Sequence, residues 1–352
     1  MAITEAMFLK KIKNKIKGSY RQLKNSILPD AIILMYHSVT KIDSDPWSLT
    51  VTPQNFAEQL NIIRKQAYTL TLQQLVKRLN EGKTVRRTIV ITFDDGYANN
   101  LNNVKPLLEK HDTPATVFVV TKCIDQKHEF WWDKLDRLLL QTYSLPKLLE
   151  FKIQNKNYKW KLEEEMHYSE KNHQDDEYYY IGKKSKQNFP NRLNIYHSLY
   201  QLMKHLTDNE RDDLLKELYK WANVEYFNQH KLRSLSGEEI VTLAEGGLIE
   251  IGSHTISHPF LSELAIELQR DEIRNSKARL ENLLGHQVNS FAYPHGMYTK
   301  DTVAIVKEAG YNSACTCANE RIKGYNDLFL LPRIMVKDCD GDKFERYLSK
   351  IK

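Results

Sequence analysis

One transition restricts this chain more than any other stretch: the β-favouring run Thr88-Ile89-Val90-Ile91-Thr92 passes through Phe93 and breaks into Asp94-Asp95-Gly96. Branched apolar residues in an unbroken row read as a buried strand, and the acidic pair followed by glycine reads as a turn. Two carboxylates therefore lie where a strand hands over to a loop, the place where α/β proteins collect their chemistry. Successive side chains on a strand point to opposite faces, yet a glycine behind the pair lets the backbone turn and bring both carboxylates to one pocket. Asp-Asp-Gly alone is most often only a polar turn. Its meaning depends on what the other strands end in.

The other strands repeat the pattern. Ala31 to Met35 is apolar and runs into Tyr36-His37; Ala115 to Val120 is a buried run; Leu248 to Ser253 leads into His254-Thr255-Ile256-Ser257-His258; Val288 to Tyr293 leads into Pro294-His295-Gly296. Further short strands are expected over Asn312–Thr316 and Leu330–Ile334. Helical periodicity falls between them, including Leu101–Lys110, Ser236–Glu245 and a long segment Leu261–Leu284 stopped by Gly285. Strands alternating with helices imply parallel pairing, in a barrel or an open sheet.

The alternation is interrupted from Cys123 to about Ser234, where Phe130-Trp131-Trp132-Asp133, a tyrosine-rich run Asp175–Tyr180 and two helical segments occur. Thr207 followed by Glu210 predicts a capping box at the second helix. We read 123–234 as a mostly helical insertion between barrel segments 29–122 and 235–352. With 352 residues, 41% hydrophobic and 27% charged, the chain can bury a sizeable core. The net charge of +6 is modest and forms no basic stripe, which argues against nucleic acid as a partner. Four cysteines without a CxxC pair suggest neither a disulfide framework nor a cysteine zinc site.

Residues 1–28 differ from the rest. Seven basic residues from Lys10 to Lys24 stand against Glu5, while Phe8, Ile12, Ile16, Tyr20, Leu23 and Ile27 share one helical face. A basic amphipathic helix suits either an anionic membrane surface or packing on the body of the protein. No long apolar run follows the charges, so an export signal is not expected, and the expected location is cytoplasmic, with peripheral contact at the inner face of the membrane.

Two histidines four apart share a face if their turn is helical, which suits two imidazoles on one metal ion. With the strand-terminal Asp95 they supply two nitrogens and one carboxylate, leaving coordination positions open. The same donor set serves non-haem iron oxygenases, but Asp94 and His37 then have no task.

In order along the chain, Thr92–Tyr97, Ser253–His258 and Phe291–Gly296 resemble the first three motifs of the polysaccharide deacetylase family, the NodB-homology domain of carbohydrate esterase family 4. Leu34-Met35-Tyr36-His37 resembles the circularly permuted branch of poly-N-acetylglucosamine deacetylases. The resemblance implies an α/β fold, a distorted (β/α)7 barrel, and hydrolysis of an N-acetyl group on a sugar. It implies that Asp95, His254 and His258 hold a divalent metal, with Zn2+ expected and Co2+, Ni2+ or Mn2+ compatible. Asp94 then matches the general base, His37 the general acid, and the backbone N–H of His295 the oxyanion donor, with Tyr97 and Tyr293 on the same oxyanion and substrate side. Many members carry an arginine where Ala292 stands, and Arg333 is the substitute candidate for tethering Asp94, although a purely structural ion pair fits equally. The implied partner is an acylated amino sugar of a bacterial surface polysaccharide or glycolipid precursor, lipid-linked forms included. A sugar N-deformylase and a non-catalytic carbohydrate binder are the alternative readings.

Overall fold

Parallel strands covered on both faces read as unbroken apolar runs, and the two longest strands of the main sheet, β1 (Ala31–Tyr36) and β3 (Thr88–Phe93), are buried along their whole length. They form the middle of a sheet with β2 (Tyr68–Thr69), β4 (Ala115–Val119), β7 (Ile249–Ser253), β8 (Ser290–Ala292), β9 (Ser313–Cys315) and β10 (Ile334–Met335). A hairpin of β5 (Leu148–Ile153) and β6 (Lys156–Lys161) stands apart from it. The sheet order is β9-β8-β7-β4-β3-β1-β10, with β2 alongside β3, and every pairing is parallel. Leu331 pairs with Cys315 just before the chain enters β10, which pairs with β1. The sheet therefore curls until its last strand meets its first, giving a distorted α/β barrel. This computed structural model describes residues 31–124, 128–162, 191–226, 232–322 and 327–351. The basic segment 1–28 and the tyrosine-rich run lie outside the described residues.

Strand alternation divides the core. Ile32, Leu34, Ile89, Ile91, Val117 and Phe291 face outward against the helices. Ile33, Val90, Phe118, Ala292, Cys315 and Leu331 face inward, with Leu72 and Leu75 of a short helix (Leu72–Asn80) packed against them. Gly252 is required in this interior because a Cβ there would overlap the Phe118 ring. Polar side chains occupy inward positions at both ends of the barrel: Thr88, Thr116 and Ser290 lie toward the amino ends of their strands, and Thr92, Asp94, His254 and Arg333 gather at the other end, all buried.

The insertion has its own core. Helices α1 (Trp131–Asp136), α2 (Asn191–Met203) and α3 (Asp208–Trp221) bury Trp132, Leu135, Leu199, Tyr196, Leu215 and Leu218 together. The capping box of Thr207 and Glu210 opens α3 as expected. The β5–β6 hairpin is an addition to the mostly helical reading: Leu149, Phe151, Tyr158 and Trp160 share the face turned to this core, a period of two that the surrounding lysines obscure. Cys315 is buried and Cys317, two residues on, is exposed.

Insertion and barrel are joined through polar contacts as well. Trp47 Nε1 donates to the Tyr196 hydroxyl at 2.6 Å, and Ser44 Oγ donates to Asp136 Oδ1 at 2.8 Å. Burial pushes the Asp136 carboxyl up to about 8, the hydrogen bonds from Ser44 and Gln141 offsetting only part of that. Its folded state thus keeps a proton that the unfolded chain sheds near pH 4, so this group's contribution to stability is complete below pH 4 and is lost as pH rises through 8. Asp136→Asn should remove that loss: relative to wild type, the variant gains stability by up to about 1.4 kcal/mol per pH unit across this window. Urea unfolding at pH 5, 7 and 8.5 reads the difference, and parallel profiles for the two proteins would refute a buried, proton-holding Asp136.

Candidate active site

Four carboxyl-terminal strand ends converge: His37 follows β1, Asp94 and Asp95 follow β3, His254 follows β7, and the turn Pro294–Gly296 follows β8. Asp94 continues the inward alternation of β3, whereas Asp95 adopts φ 70°, a left-handed conformation that turns its side chain away from the strand's rhythm. Gly96 follows at φ 77°, where a Cβ would press on Val119 at 3.2 Å. The two carboxylates consequently reach different neighbours.

Asp95 Oδ1 lies 3.6 Å from His254 Nε2 and 3.5 Å from His258 Nε2, and it is buried without a hydrogen-bond partner. One donor atom from each of the three residues falls within 4.8 Å of the others. Burial, reinforced by Asp94, raises the Asp95 carboxyl well above the carboxylate range. Burial also drives His258 well down, with His295 and His254 adding to the effect, so that its imidazole is neutral. An unpartnered carboxylate facing two neutral imidazoles fits a divalent cation, which would neutralise the one and accept lone pairs from the others. His254 is already oriented for this, because its Nδ1 bonds the Ala292 carbonyl oxygen at 2.8 Å, leaving Nε2 toward Asp95.

The histidines do not share a helical face. Thr255 and His258 take φ of 69° and 58°, and the loop folds both rings inward with centroids 4.8 Å apart. The i, i+4 spacing succeeds here through a strained loop rather than a helical turn.

Asp94 is held from two strands away, across β1. Arg333 is fully buried, and its Nη1 and Nη2 donate to Asp94 Oδ1 and Oδ2 at 2.6 and 2.7 Å. The arginine is fixed in turn, donating from Nε to the Thr316 carbonyl oxygen and from Nη1 to Thr92 Oγ1. Burial alone would raise Asp94, but Arg333, helped by His254 and His37, holds it at about 2. Asp94 is therefore ionised, with both oxygens bonded to Arg333, and its Oδ2 lies 3.9 Å from His254 Nε2. Position 292 needs no arginine when β10 supplies one.

His37 is partly exposed, and burial of its ring lowers it to about 4, with the Asp94 carboxylate countering only part of the shift. Its carbonyl oxygen accepts from Asn100 Nδ2 at 3.0 Å, which anchors the residue at the end of β1. His295 has φ 57°, and its ring stacks on Phe260 at 3.9 Å while meeting the His258 ring edge-on at 4.4 Å.

Tyr293 requires a correction: its phenol is buried among Phe291, Tyr298 and Tyr311 and donates to the Phe329 carbonyl oxygen, because it shares the outward face of β8 with Phe291. The Tyr97 hydroxyl donates to Asp133 Oδ2 at 3.0 Å and accepts from Trp132 Nε1 at 3.1 Å, so it links the site to the insertion. Through that link Trp132 packs against His258, with centroids 5.0 Å apart. Sequence reasoning noticed the tryptophans but not this role; the only signal was a Trp-Trp-Asp cluster in the segment by which the chain leaves β4.

Comparison with known proteins bears on this arrangement. The chain matches the family described as polysaccharide deacetylase over residues 81–175 and 207–314. It is 22% identical over 323 residues to the putative polysaccharide deacetylase YxkH of Bacillus subtilis, covering 91% of this chain and 76% of that one. It is 35% identical over 107 residues to a poly-beta-1,6-N-acetyl-D-glucosamine N-deacetylase of Staphylococcus epidermidis, covering 27% of this chain and 37% of that protein. Among solved structures, the Streptococcus pyogenes deacetylase PplD in complex with acetate superposes with a TM-score of 0.55 at 17% identity, covering 91% of this chain and 99% of that one.

Proposed function

Because the chain belongs to the polysaccharide deacetylase family, we propose that it hydrolyses the N-acetyl group of an amino sugar in a bacterial surface polysaccharide or its glycolipid precursor, using the Asp94–Asp95 site. One observation carries this reading: the two adjacent carboxylates are divided, Asp94 locked to Arg333 and Asp95 left to two imidazoles. A divalent ion at Asp95, His254 and His258 would polarise the amide carbonyl and acidify water. Asp94, ionised and paired with Arg333, would take the proton of the attacking water. His37 supplies the proton on which the amine departs, and the His295 N–H steadies the oxyanion. An oxygenase would leave the Asp94–Arg333 pair unused.

Zn2+ is the ion we propose, since a nitrogen-rich donor set with one carboxylate suits it. The likeness to a poly-beta-1,6-N-acetyl-D-glucosamine N-deacetylase supports an N-acetylglucosamine residue as the group acted on. We further propose a lipid-linked form of the substrate, a cytoplasmic location, and peripheral membrane contact through residues 1–28, on the basis of their charge and apolar stripe. No described helix is long and apolar enough to cross a membrane.

The test is to incubate the metal-loaded protein with β-1,6-linked N-acetylglucosamine oligomers and with lipid-linked acetylated sugars, measuring acetate and free amine. Equal amounts of both are expected; formate instead identifies a deformylase, and neither product from any substrate points to a binding protein. The His37→Ala variant should be slower and should lose the descending limb of kcat/KM, because the protonated fraction of a general acid falls as pH rises, for His37 from about 4 upward. An unchanged profile removes His37 from that role.

A further inference from the structure

The geometry points to Glu272, in the helix Ile266–Leu284, as the residue that shapes the His254–His258 loop for metal binding. The inference rests on Asp95, His254 and His258 being the ligands. Between the two histidines the backbone leaves regular structure and passes through two left-handed residues that are not glycine, Thr255 and His258. Such conformations persist only where surroundings over-determine them. Three interactions from one carboxylate supply that constraint: Glu272 Oε2 accepts the N–H of Ile256 at 2.8 Å and of Ser257 at 2.9 Å, and Oε1 accepts from Ser257 Oγ at 2.7 Å. Glu272 therefore grips the midpoint of the loop whose two ends carry the imidazoles.

The remaining bonds of the loop show how that grip reaches the ligands. Thr255 Oγ1 accepts the N–H of His258 at 3.0 Å, which closes the turn around the second histidine. Thr121 and Lys122 donate their N–H groups to the Thr255 and Ile256 carbonyl oxygens at 3.1 and 2.8 Å. One edge of the loop is thus tied to the barrel through its carbonyls, and Glu272 takes up N–H groups on the other. Without the carboxylate, Ile256 N–H and Ser257 N–H lose their shared acceptor and the left-handed residues are free to relax. His258 moves most, because its Nδ1 has no hydrogen-bond partner to hold the ring. Glu272 is thus a positioning residue, acting on the metal through the loop.

Metal affinity tests this without relying on turnover. The metal-free chain and its variants are titrated with Co2+ against a chromophoric chelator, and the visible spectrum of the bound cobalt is recorded. Glu272→Ala should bind Co2+ about 10- to 100-fold more weakly, the usual effect of losing an outer partner of a ligand, and with an altered spectrum. Glu272→Gln should stay close to wild type, since its amide oxygen can still accept both N–H groups. If Glu272→Ala fails to fold, Glu272→Asp takes its place, its carboxylate being one methylene short of the loop. Wild-type affinity and spectrum in Glu272→Ala, or in Glu272→Asp where that replaces it, overturn the inference. His254→Ala separates the two readings: if it loses cobalt while Glu272→Ala does not, only the role of Glu272 fails, and if it keeps cobalt the ligand assignment itself fails and takes Glu272's role with it.

Discussion

Alanine in place of Asp95, His254 or His258 should leave the purified protein without its divalent ion, while Asp94→Asn should keep the ion and lose about a hundredfold or more in kcat. The asymmetry arises from where each carboxylate is held. Asp95 Oδ1 has no partner but the two imidazole nitrogens at 3.6 and 3.5 Å, so removing any one of the three breaks the donor set. Asp94 spends both oxygens on Arg333 and contributes no donor. A positioned general base is worth about 10²- to 10⁴-fold in rate, which sets the expected loss. Asn at position 94 also leaves the Arg333 charge buried with a weaker partner, so turnover is compared per folded molecule after circular dichroism. Elemental analysis of the four variants decides the matter: a normal metal content in His254→Ala, or an empty Asp94→Asn, would reject this division of labour.

The parts of this site that were legible in the sequence are those fixed by local pattern. β1 and β3 are buried throughout, so their apolar runs carry no polar interruption, and the polar residues at the end of each run stand out as chemistry: His37 after one, Asp94 and Asp95 after the other. His254 and His258 stand out likewise after β7, although Glu250 interrupts that run. Local pattern fails where the outcome depends on closure of the sheet. Arg333 stands 239 residues from Asp94, and nothing near it in sequence distinguishes a tether for the base from an ordinary ion pair. Only the return of β10 to pair with β1 places that guanidinium beside β3's end, one strand removed.

Other misses have similarly physical origins. The spacing of His254 and His258 suggested a helical turn because period alone cannot see the left-handed residues between them. Tyr293 follows β8 inside a motif that carries chemistry, yet the alternation of side chains sends its phenol outward with Phe291, into the core under the helices. The insertion's hairpin was hidden because Lys152, Lys156, Lys159 and Lys161 occupy its exposed positions and blur the apolar alternation. Trp132 belongs to the insertion by sequence and to the Asp95–His254–His258 cluster by contact with His258, beside a hydrogen bond to Tyr97 that no spacing rule predicts.

Replacing Arg333 with methionine should be the most damaging single change outside the metal ligands, destabilising the fold by about 3–5 kcal/mol. Two charges buried together gain little over an apolar pair, but removing one strands the other, and Asp94 is as buried as its partner. The sign of the pH effect is set by Asp94. Its carboxyl lies at about 2 in the folded protein and near 4 when unfolded, so the pair contributes stability above pH 4 that is lost as pH falls toward 2. Without Arg333, burial is opposed only by the weaker pull of the histidines, and the carboxyl rises. The variant should then gain stability on acidification where wild type loses it, since protonation relieves the stranded charge. Its kcat should fall with that of Asp94→Asn, because a base that has lost its fork is free to turn toward the ligands of the ion. Arg333→Lys retains the charge but not the paired donors, and should lie between the two. The double variant Asp94→Asn/Arg333→Met should be more stable than Arg333→Met alone, having no charge left to strand. Urea denaturation between pH 3 and 8 measures all four proteins, and additive losses in the double variant would mean that the two residues act independently and that Arg333 does not hold the base.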